Sequence, residues 1–182
     1  MTGLPTEAEP TAQRLNAIVE QFLSLARPIE IKAEALPVPE VLRELAALED
    51  GDAKRSKVQI RVNAAPDLPP LKADPSHLSQ VLLNLMLNGL QAMPEGGTLT
   101  LEAKTSNSNF LIAVTDTGPG IAAEDRERIF EPYFTTKPKG TGLGLAISRR
   151  LIEAHGGKLT AADKSGAGCR FEISLPLNGV EI

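Results

Sequence analysis

Four side chains that carry amide groups follow one another along an otherwise apolar stretch of the chain. Around the segment VLLNLMLNGL, the residues Gln80, Asn84, Asn88 and Gln91 are separated by four, four and three positions. These spacings place the side chains on one face of a helix. That face is either an exposed polar stripe or the wall of a polar pocket. In a pocket, an asparagine carbonyl oxygen suits Mg²⁺, a hard cation that is usually shared with substrate phosphates.

A second candidate site lies where a strand-like segment runs into glycines. The segment IAVTDTGPGI leads Asp116 into a turn that contains Gly118 and Gly120. Glycine allows a tight turn and lets a flat ligand approach the backbone closely. A carboxylate at this position can accept a hydrogen bond from the exocyclic amine of a base. It can also belong to an Asx-type turn that binds no ligand, and the residues alone leave both interpretations open.

A third candidate site is the glycine-rich run GTGLGLAI, which begins a helix at Gly142 or Leu143. The free N–H groups and the dipole at a helix start can bind an anion. Thr141 can add a hydroxyl, and Lys137 and Lys139 precede it closely enough to reach phosphate oxygens. The run lacks the Gly-Lys-Ser/Thr ending of a P-loop and is not surrounded by a parallel βαβ unit, which excludes both common nucleotide loops. The glycines can also simply end a loop.

The elements that must position these residues are predicted from periodicity and turn signals. Helices are predicted over 13–27, 38–50, 75–93 and 142–155, with strands over 57–63, 96–105, 109–116, 157–163 and 168–177. Asp74 is the expected N-cap of the third helix, Gly51 is expected to end the second, and Gly156 the last. Residues 117–141 form a long loop of the kind that makes a mobile lid. This order predicts an α/β two-layer sandwich, with helices on one face of a mixed, mostly antiparallel sheet.

Composition narrows the range of functions. A net charge of −4 and a pI of 5.3 argue against broad nucleic-acid binding. The single cysteine, Cys169, excludes an internal disulfide and a multi-cysteine metal site, and it is expected to be a buried structural thiol. No apolar run reaches the about 18 residues of a membrane span. With a polar, acidic N-terminus in place of a signal peptide, the segment is expected to be cytoplasmic, without membrane contact.

Taken in order, these motifs resemble the ATP-binding domain of two-component sensor histidine kinases, within the GHKL ATPase superfamily. HLSQVLLNLMLNGLQAM is similar to the N box of that family, DTGPGI to its G1 box, IFEPYFTTK to its F box and GTGLGL to its G2 box. The longer segment FEPYFTTKPKGTGLGLAI is especially similar to kinases of the nitrogen-regulation and acetoacetate-sensor type. The earlier segment RLNAIVEQFLSLARP resembles the second helix of the family's dimerisation and phosphotransfer domain.

The resemblance divides the chain into four parts. Residues 1–12 are expected to be disordered, 13–28 to be the end of the dimerisation helix, 29–37 a linker and 38–178 the ATP-binding domain with the GHKL (Bergerat) fold. The helix at 13–27 is coiled-coil-like, because its apolar residues alternate at spacings of three and four. These seam residues are Leu15, Ile18, Phe22 and Leu25.

The resemblance also implies roles for individual residues toward ATP and Mg²⁺. Asn88 would coordinate the metal, Asn84 would contact phosphate or the metal shell, Asp116 would accept from the adenine amine, and Lys137 would lie near the γ-phosphate. Phe130 would anchor the lid, as would Phe134. The full set of implied nucleotide-binding residues is Asn84, Asn88, Gln91, Asp116, Gly118, Gly120, Ile121, Phe130, Tyr133, Phe134, Thr136, Lys137, Lys139, Gly140, Thr141, Gly142, Leu143, Gly144 and Leu145.

Two positions depart from the family pattern. Many relatives have Glu where Gln80 stands, which puts a general-base role for Gln80 in doubt. Many relatives have Lys or His where Gln91 stands, which predicts one weaker phosphate contact.

The largest departure is the phosphoacceptor. The family phosphorylates a histidine in a His-Glu/Asp-x-x-Asn/His-Pro stretch, which this sequence lacks. His77 is expected in the first turn of its helix at the surface, and His155 in a last helical turn. The chain is therefore expected to bind ATP·Mg²⁺ without labelling itself. It would donate the γ-phosphate to a histidine on the dimerisation helix of a homodimeric parent kinase, for relay to a response regulator.

Two other function classes remain open. An anti-sigma-type serine kinase and binding module shares this ATP fold, although the apolar seam and the TTKPKGTGLGL lid disfavour it. A GHKL ATPase that uses hydrolysis as a conformational clamp is also possible, but it needs a transducer domain after the fold.

Overall fold

The computed structural model describes residues 28–65, 67–137, 140–162 and 167–177. Within these ranges it has three helices and seven strands. They are β1 Glu34–Leu36, α1 Val38–Arg55, β2 Val58–Ala64, β3 Leu71–Ala73, α2 Pro75–Ala92, β4 Gly97–Ser106, β5 Asn109–Thr115, α3 Gly144–Ala154, β6 Lys158–Ala162 and β7 Arg170–Pro176. Two short 3₁₀ turns, Ala123–Asp125 and Arg128–Phe130, interrupt the predicted loop. The predicted disordered segment, the seam helix at 13–27 and Lys139 lie outside the described residues.

The main sheet is five-stranded, with the order β2-β4-β5-β7-β6. β2 pairs in parallel with β4, and the other three pairs are antiparallel. The parallel pair is possible because the intervening chain, which includes α2, crosses over between the two strands. The predicted mixed, mostly antiparallel sheet is confirmed.

The core lies between this sheet and the helices. Val114 on β5 lies opposite Leu101 of β4 and Phe171 of β7, and all three side chains are buried. Burying an apolar side chain of this size contributes about 1.5–3 kcal/mol. On the helical side, α1 packs against β2, and α2 packs against α3. This packing brings the polar stripe of α2 next to the start of α3. The predicted burial of Cys169 is confirmed as well.

A second, two-stranded sheet was not expected from the sequence. β1 pairs antiparallel with β3, and Ala35 lies opposite Lys72. Each strand has only three residues, too few for a periodic signal, and proline-rich segments flank both. β1 falls within the predicted linker at 29–37, so part of that linker is structured and paired.

Two predicted helix bounds are wrong. Gly51 does not end α1, which continues to Arg55, because Gly51 lacks the left-handed φ of a glycine C-cap and Ala53 is buried just after it. The helix ends instead before Lys57, whose φ is +55°. The last helix begins at Gly144 and not at Gly142 or Leu143, because Gly142 has a φ of +68°, outside the helical region, and Leu143 is the N-cap.

The predicted end of the last helix at Gly156 is confirmed. Its φ is +70°, and its N–H donates to the carbonyl of Glu153 over 2.9 Å. The N–H of Gly157 donates to the carbonyl of Ile152 over 3.0 Å. These two bonds form a Schellman motif, which satisfies carbonyls at the helix end.

None of the helices within the described ranges combines the length and the apolar character that a membrane crossing requires.

Candidate functional site

Asp74 fixes the start of α2, the helix that carries the amide stripe. Its Oδ1 accepts hydrogen bonds from the N–H groups of Ser76 (3.0 Å) and His77 (3.1 Å), so the predicted N-cap is confirmed. Its Oδ2 accepts from the N–H of Lys32 over 2.9 Å, which ties the segment before β1 to the helix. Burial by itself raises the pKa of Asp74, but hydrogen bonds from the Ser76 hydroxyl and the backbone N–H groups outweigh it and hold the pKa well below its usual range.

The two histidines belong to the same framework. The N–H of Asp74 lies 3.1 Å from Nε2 of His155, and Nδ1 of His155 lies 2.7 Å from the carbonyl oxygen of Leu151. The neutral tautomer that satisfies both contacts donates from Nδ1 and accepts at Nε2. His77 contacts His155 edge to face, with ring centroids 5.7 Å apart. Its predicted surface position is wrong, because its side chain is only 21% exposed.

α2 lines a cavity of about 480 Å³ opposite the lid and the glycine turn. The lining residues are Asn84, Leu87, Asn88, Gln91, Ile129, Phe134, Thr135, Thr136, Lys137, Gly140, Thr141, Gly142, Gly144 and Leu145. Three of the four amide side chains therefore face a pocket, as one interpretation of the stripe predicts. Gln80 is exposed and does not line the cavity.

A lysine of the lid is bound to two of these amides. Nζ of Lys137 lies 2.9 Å from Oδ1 of Asn88 and 2.8 Å from Oε1 of Gln91. Burial lowers the pKa of Lys137. The two amide oxygens thus converge on a positive charge, and Asn88, the predicted Mg²⁺ ligand, holds an ammonium group here. Oxygen ligands that accept one cation in this way also suit Mg²⁺.

Asn84 connects α2 to α3. Its Nδ2 donates to Oγ of Ser148 over 2.9 Å. A Cβ at Gly144 would lie only 2.5 Å from Oδ1 of Asn84, so the absence of a side chain at Gly144 lets the helix start approach Asn84 closely. The hydroxyl of Thr141 lies 3.4 Å from the N–H of Leu143, whose own side chain is buried. The glycine turn and the amide stripe therefore form one polar wall.

Within the predicted lid, the segment 134–141 is flanked by Tyr133 and Gly142, which contact each other and form a narrow neck. The N–H of Tyr133 donates to the carbonyl of Gly142 over 2.9 Å. A Cβ at Gly142 would lie 2.4–2.7 Å from the backbone atoms of Tyr133. Before the neck, Phe130 is buried against Phe171 with centroids 6.3 Å apart, and Cζ of Arg149 lies 3.7 Å above the Phe130 ring. Phe130 therefore anchors the base of the lid in the core.

Asp116 lies outside the lining of the large cavity. It is buried, and its Oδ1 accepts from the N–H groups of Gly118 (2.8 Å) and Cys169 (3.1 Å). The Asx-type turn is thus present. Gly120 and Ile121 line a second, small cavity of about 90 Å³, and Asp116 lines neither cavity.

The side chains around the large cavity limit which metal ion could bind there. The described ranges contain no group of three or more His, Cys, Asp or Glu side chains that could hold one. A metal at the large cavity would therefore have to use amide oxygens together with oxygens of a ligand and water, which is the ligand set of Mg²⁺ and not of Zn²⁺.

Residues 73–179 match the family model for the histidine kinase-, DNA gyrase B- and HSP90-like ATPases, and this match covers more than half of the 182-residue chain. The chain belongs to this ATPase family. Sensor histidine kinase ZraS of Escherichia coli K12 is 41% identical over 167 residues, which are 92% of this chain and 36% of ZraS. This ATPase-family chain therefore spans about a third of the length of the curated relatives it matches.

Solved structures agree with that assignment. Full-length ShkA in complex with AMPPNP superposes with a TM-score of 0.86 and 31% identity, over 96% of this chain and 40% of ShkA. Histidine kinase ThkA in complex with the response regulator protein TrrA superposes with a TM-score of 0.80 and 26% identity, over 97% of this chain and 53% of ThkA. The resemblance to the catalytic domain of sensor histidine kinases, which the motifs predict, is confirmed.

In this ATPase-family member, the predicted site residues fall into two groups. Three amides of the stripe, the end of the lid and the glycine turn meet at the large cavity, whereas Asp116 and the G1 glycines do not line it. Sequence reasoning missed Ser148, which holds Asn84, and it missed the contact between Gln91 and Lys137. The only signal for Ser148 is its place four residues after Gly144, on the same helical face.

Proposed function

We propose that this chain is the ATP-binding catalytic domain of a sensor histidine kinase, with residues 38–178 as its functional unit. In this proposal it binds ATP with Mg²⁺ and positions the γ-phosphate for transfer to a histidine. The observation that carries the proposal is the large cavity, in which the oxygens of Asn88 and Gln91 converge on a cation beside the start of α3.

The phosphates are proposed to lie at the glycine turn. The first N–H groups of α3 lack partners within the helix, so they can donate to an anion, as at other helix N-termini. Gly142 and Gly144 let this backbone pack closely against Tyr133 and Asn84, and the Thr141 hydroxyl lies beside it. Lys137 adds a positive charge from the lid. Together these groups neutralise and orient a triphosphate without covalent help from the protein, which is what phosphoryl transfer requires.

Asn88 is proposed as the protein's ligand to Mg²⁺. The remaining ligands would be phosphate oxygens and water, as is usual for this ion. When bound, Mg²⁺ supplies neutralisation of the charge on the phosphates. Asn84 would stand beside it, held in place by Ser148.

Asp116 is proposed to make the site specific for adenine. A carboxylate oxygen can accept more than one hydrogen bond, so the turn contacts to Gly118 and Cys169 are compatible with a further bond from the adenine amine. The Asx-type turn then serves to fix the carboxylate in place.

The acceptor is proposed to be a histidine on the dimerisation helix of the parent kinase, and the final acceptor a response regulator in the cytoplasm. His155 is a poor acceptor because both ring nitrogens make contacts within the domain. The relatives named as sensor histidine kinases and the complex of ThkA with TrrA support this relay.

One labelling experiment tests the proposal. The chain is incubated with γ-labelled ATP and Mg²⁺, with and without the purified dimerisation domain of a ZraS-type kinase. We expect an acid-labile, base-stable phosphate on the added domain and none on the chain. Stoichiometric labelling of the chain alone would contradict the proposal. An acid-stable phosphate on an added protein would instead indicate a serine kinase.

A further inference from the structure

We propose that Gln91 is a positioning residue for the lid ammonium of Lys137, and that this contact determines how strongly the chain prefers ATP over ADP. The inference rests on the proposed function, because it assigns Lys137 to the terminal phosphate. It adds a role for Gln91, a neutral side chain that would itself make only a weak contact with phosphate.

The geometry that carries the inference is the pair of short contacts to Nζ of Lys137. Oε1 of Gln91 lies at 2.8 Å and Oδ1 of Asn88 at 2.9 Å, and the two amides are three residues apart on one face of α2. An ammonium group has three N–H donors. The two amides use two of them, so the third can reach a phosphate oxygen while the side chain remains held.

The two amide oxygens are expected to contact different partners once nucleotide and Mg²⁺ bind. If Asn88 becomes a metal ligand, its oxygen can no longer accept from Lys137. The metal ion and the ammonium group would then share one oxygen atom, and two cations so close together repel each other. Gln91 then remains as the acceptor that holds the ammonium group. As a neutral amide, it fixes the position of Lys137 without cancelling its charge, which a carboxylate at this position would do.

The functional consequence concerns the terminal phosphate. ATP and ADP share the base, the sugar and two phosphates, so a contact to the terminal phosphate contributes only to ATP affinity. A charge-assisted hydrogen bond at a half-buried site contributes about tenfold in affinity. Loss of Gln91 releases the side chain of Lys137 and is expected to remove most of this factor.

The experiment measures Mg·ATP and Mg·ADP affinity by calorimetry for Gln91→Leu, Lys137→Met and the double variant. Each single variant is expected to reduce the ratio of ATP to ADP affinity about tenfold, and the double variant is expected to reduce it no further, because the two residues act through one contact. Lys104→Met removes an exposed ammonium from β4, outside both cavities, and should leave the ratio unchanged.

A positive charge moved from position 137 to position 91 is expected to restore the preference for ATP. In the Lys137→Met background, Gln91→Lys places an ammonium group on α2 next to the position that Nζ of Lys137 occupies. The preference for ATP should then return, although the lid carries no charge at 137. In the nucleotide-free chain, Gln91→Leu should also speed amide hydrogen exchange in the lid at 135–137.

Four outcomes would overturn the inference. The first is that Gln91→Leu lowers ATP and ADP affinity equally, together with the melting temperature, which is the result expected of a purely structural role. Effects of the two single variants that add in the double variant would show that the residues act independently. A wild-type chain that binds both nucleotides, with a ratio that neither variant changes, would leave the proposed function standing and reject only the role of Gln91. A wild-type chain that binds neither nucleotide would reject both.

Discussion

Replacement of Gly142 by alanine should open the neck of the lid and leave the rest of the domain folded. Gly142 has a φ of +68°, and a Cβ there would lie 2.4 Å from the carbonyl carbon of Tyr133 and 2.7 Å from its Cα. These are backbone atoms, so no side-chain rotation relieves the overlap. The two backbone segments must separate, and the hydrogen bond from Tyr133 N–H to the carbonyl of Gly142 must break.

The expected loss of affinity follows from the strain of the closed neck, set against the hydrogen bond that is lost when the neck opens. A left-handed φ costs alanine about 1 kcal/mol, and an overlap of this kind costs about 2 kcal/mol more. Opening the neck avoids both but loses one hydrogen bond, with a net value of about 1 kcal/mol. The variant therefore rests with its neck open, and restoring the closed form that binds nucleotide costs about 2 kcal/mol. Affinity for Mg·ATP should fall about 30-fold, whereas stability should fall by only about 1 kcal/mol.

Calorimetric titration with Mg·ATP and a urea melt measure the two quantities separately. Gly51→Ala is the matched control, because Gly51 lies inside α1 and no atom is within 4 Å of its Cβ position. That change should stabilise the domain by about 0.5–1 kcal/mol and leave nucleotide affinity unchanged. Unchanged Mg·ATP affinity in Gly142→Ala would refute this reasoning, and so would a loss of affinity accompanied by global unfolding.

Three further predictions concern the metal, the base and the helix cap. Asn88→Ala should weaken Mg²⁺-dependent ATP binding about tenfold while folding survives, and calorimetry with and without Mg²⁺ measures this difference. If Asp116 accepts from the adenine amine, ATP and ADP should bind and GTP should not, since guanine presents a carbonyl where adenine has the amine; equal binding of GTP in a competition assay would remove Asp116 from the base site. Asp74→Ala should cost about 2–3 kcal/mol in a denaturant melt, because it removes the cap of α2 and charge-assisted hydrogen bonds. The pKa of Asp74 is held below its usual range, so its contribution is fully present above about pH 4 and is lost as the pH falls through the lowered pKa. The difference in stability between wild type and Asp74→Ala should therefore shrink in acid, and a difference that grows toward low pH would contradict this assignment.

Local sequence signals were sufficient to predict the start of α2 and the end of α3, the two helices that carry the site. The start of α2 follows from Asp74 and Pro75, whose cap geometry is a matter of a few consecutive residues. The end of α3 at Gly156 follows in the same way, because only the left-handed φ of one residue is needed. Gly51 misled the prediction because glycine is compatible with a helix interior when tertiary packing holds the next turn, as the burial of Ala53 does here.

The sequence by itself determined the amphipathic helices, the alternating strands of the antiparallel sheet and the family-like order of the polar motifs. Each of these depends on residue types a few positions apart, and apolar periodicity is visible without knowledge of the fold. The family resemblance then predicted which residues would meet phosphate.

Only the tertiary structure decided which polar groups contact each other. Nζ of Lys137 and Oε1 of Gln91 belong to residues 46 positions apart, and Asn84 and Ser148 are 64 positions apart. The pairing of β1 with β3 is likewise formed by strands of three residues that have no periodic signal of their own. Such contacts form because the sheet and helices bring distant segments together. A hydrogen bond between two exposed or half-buried polar side chains leaves no trace in the local pattern of either segment.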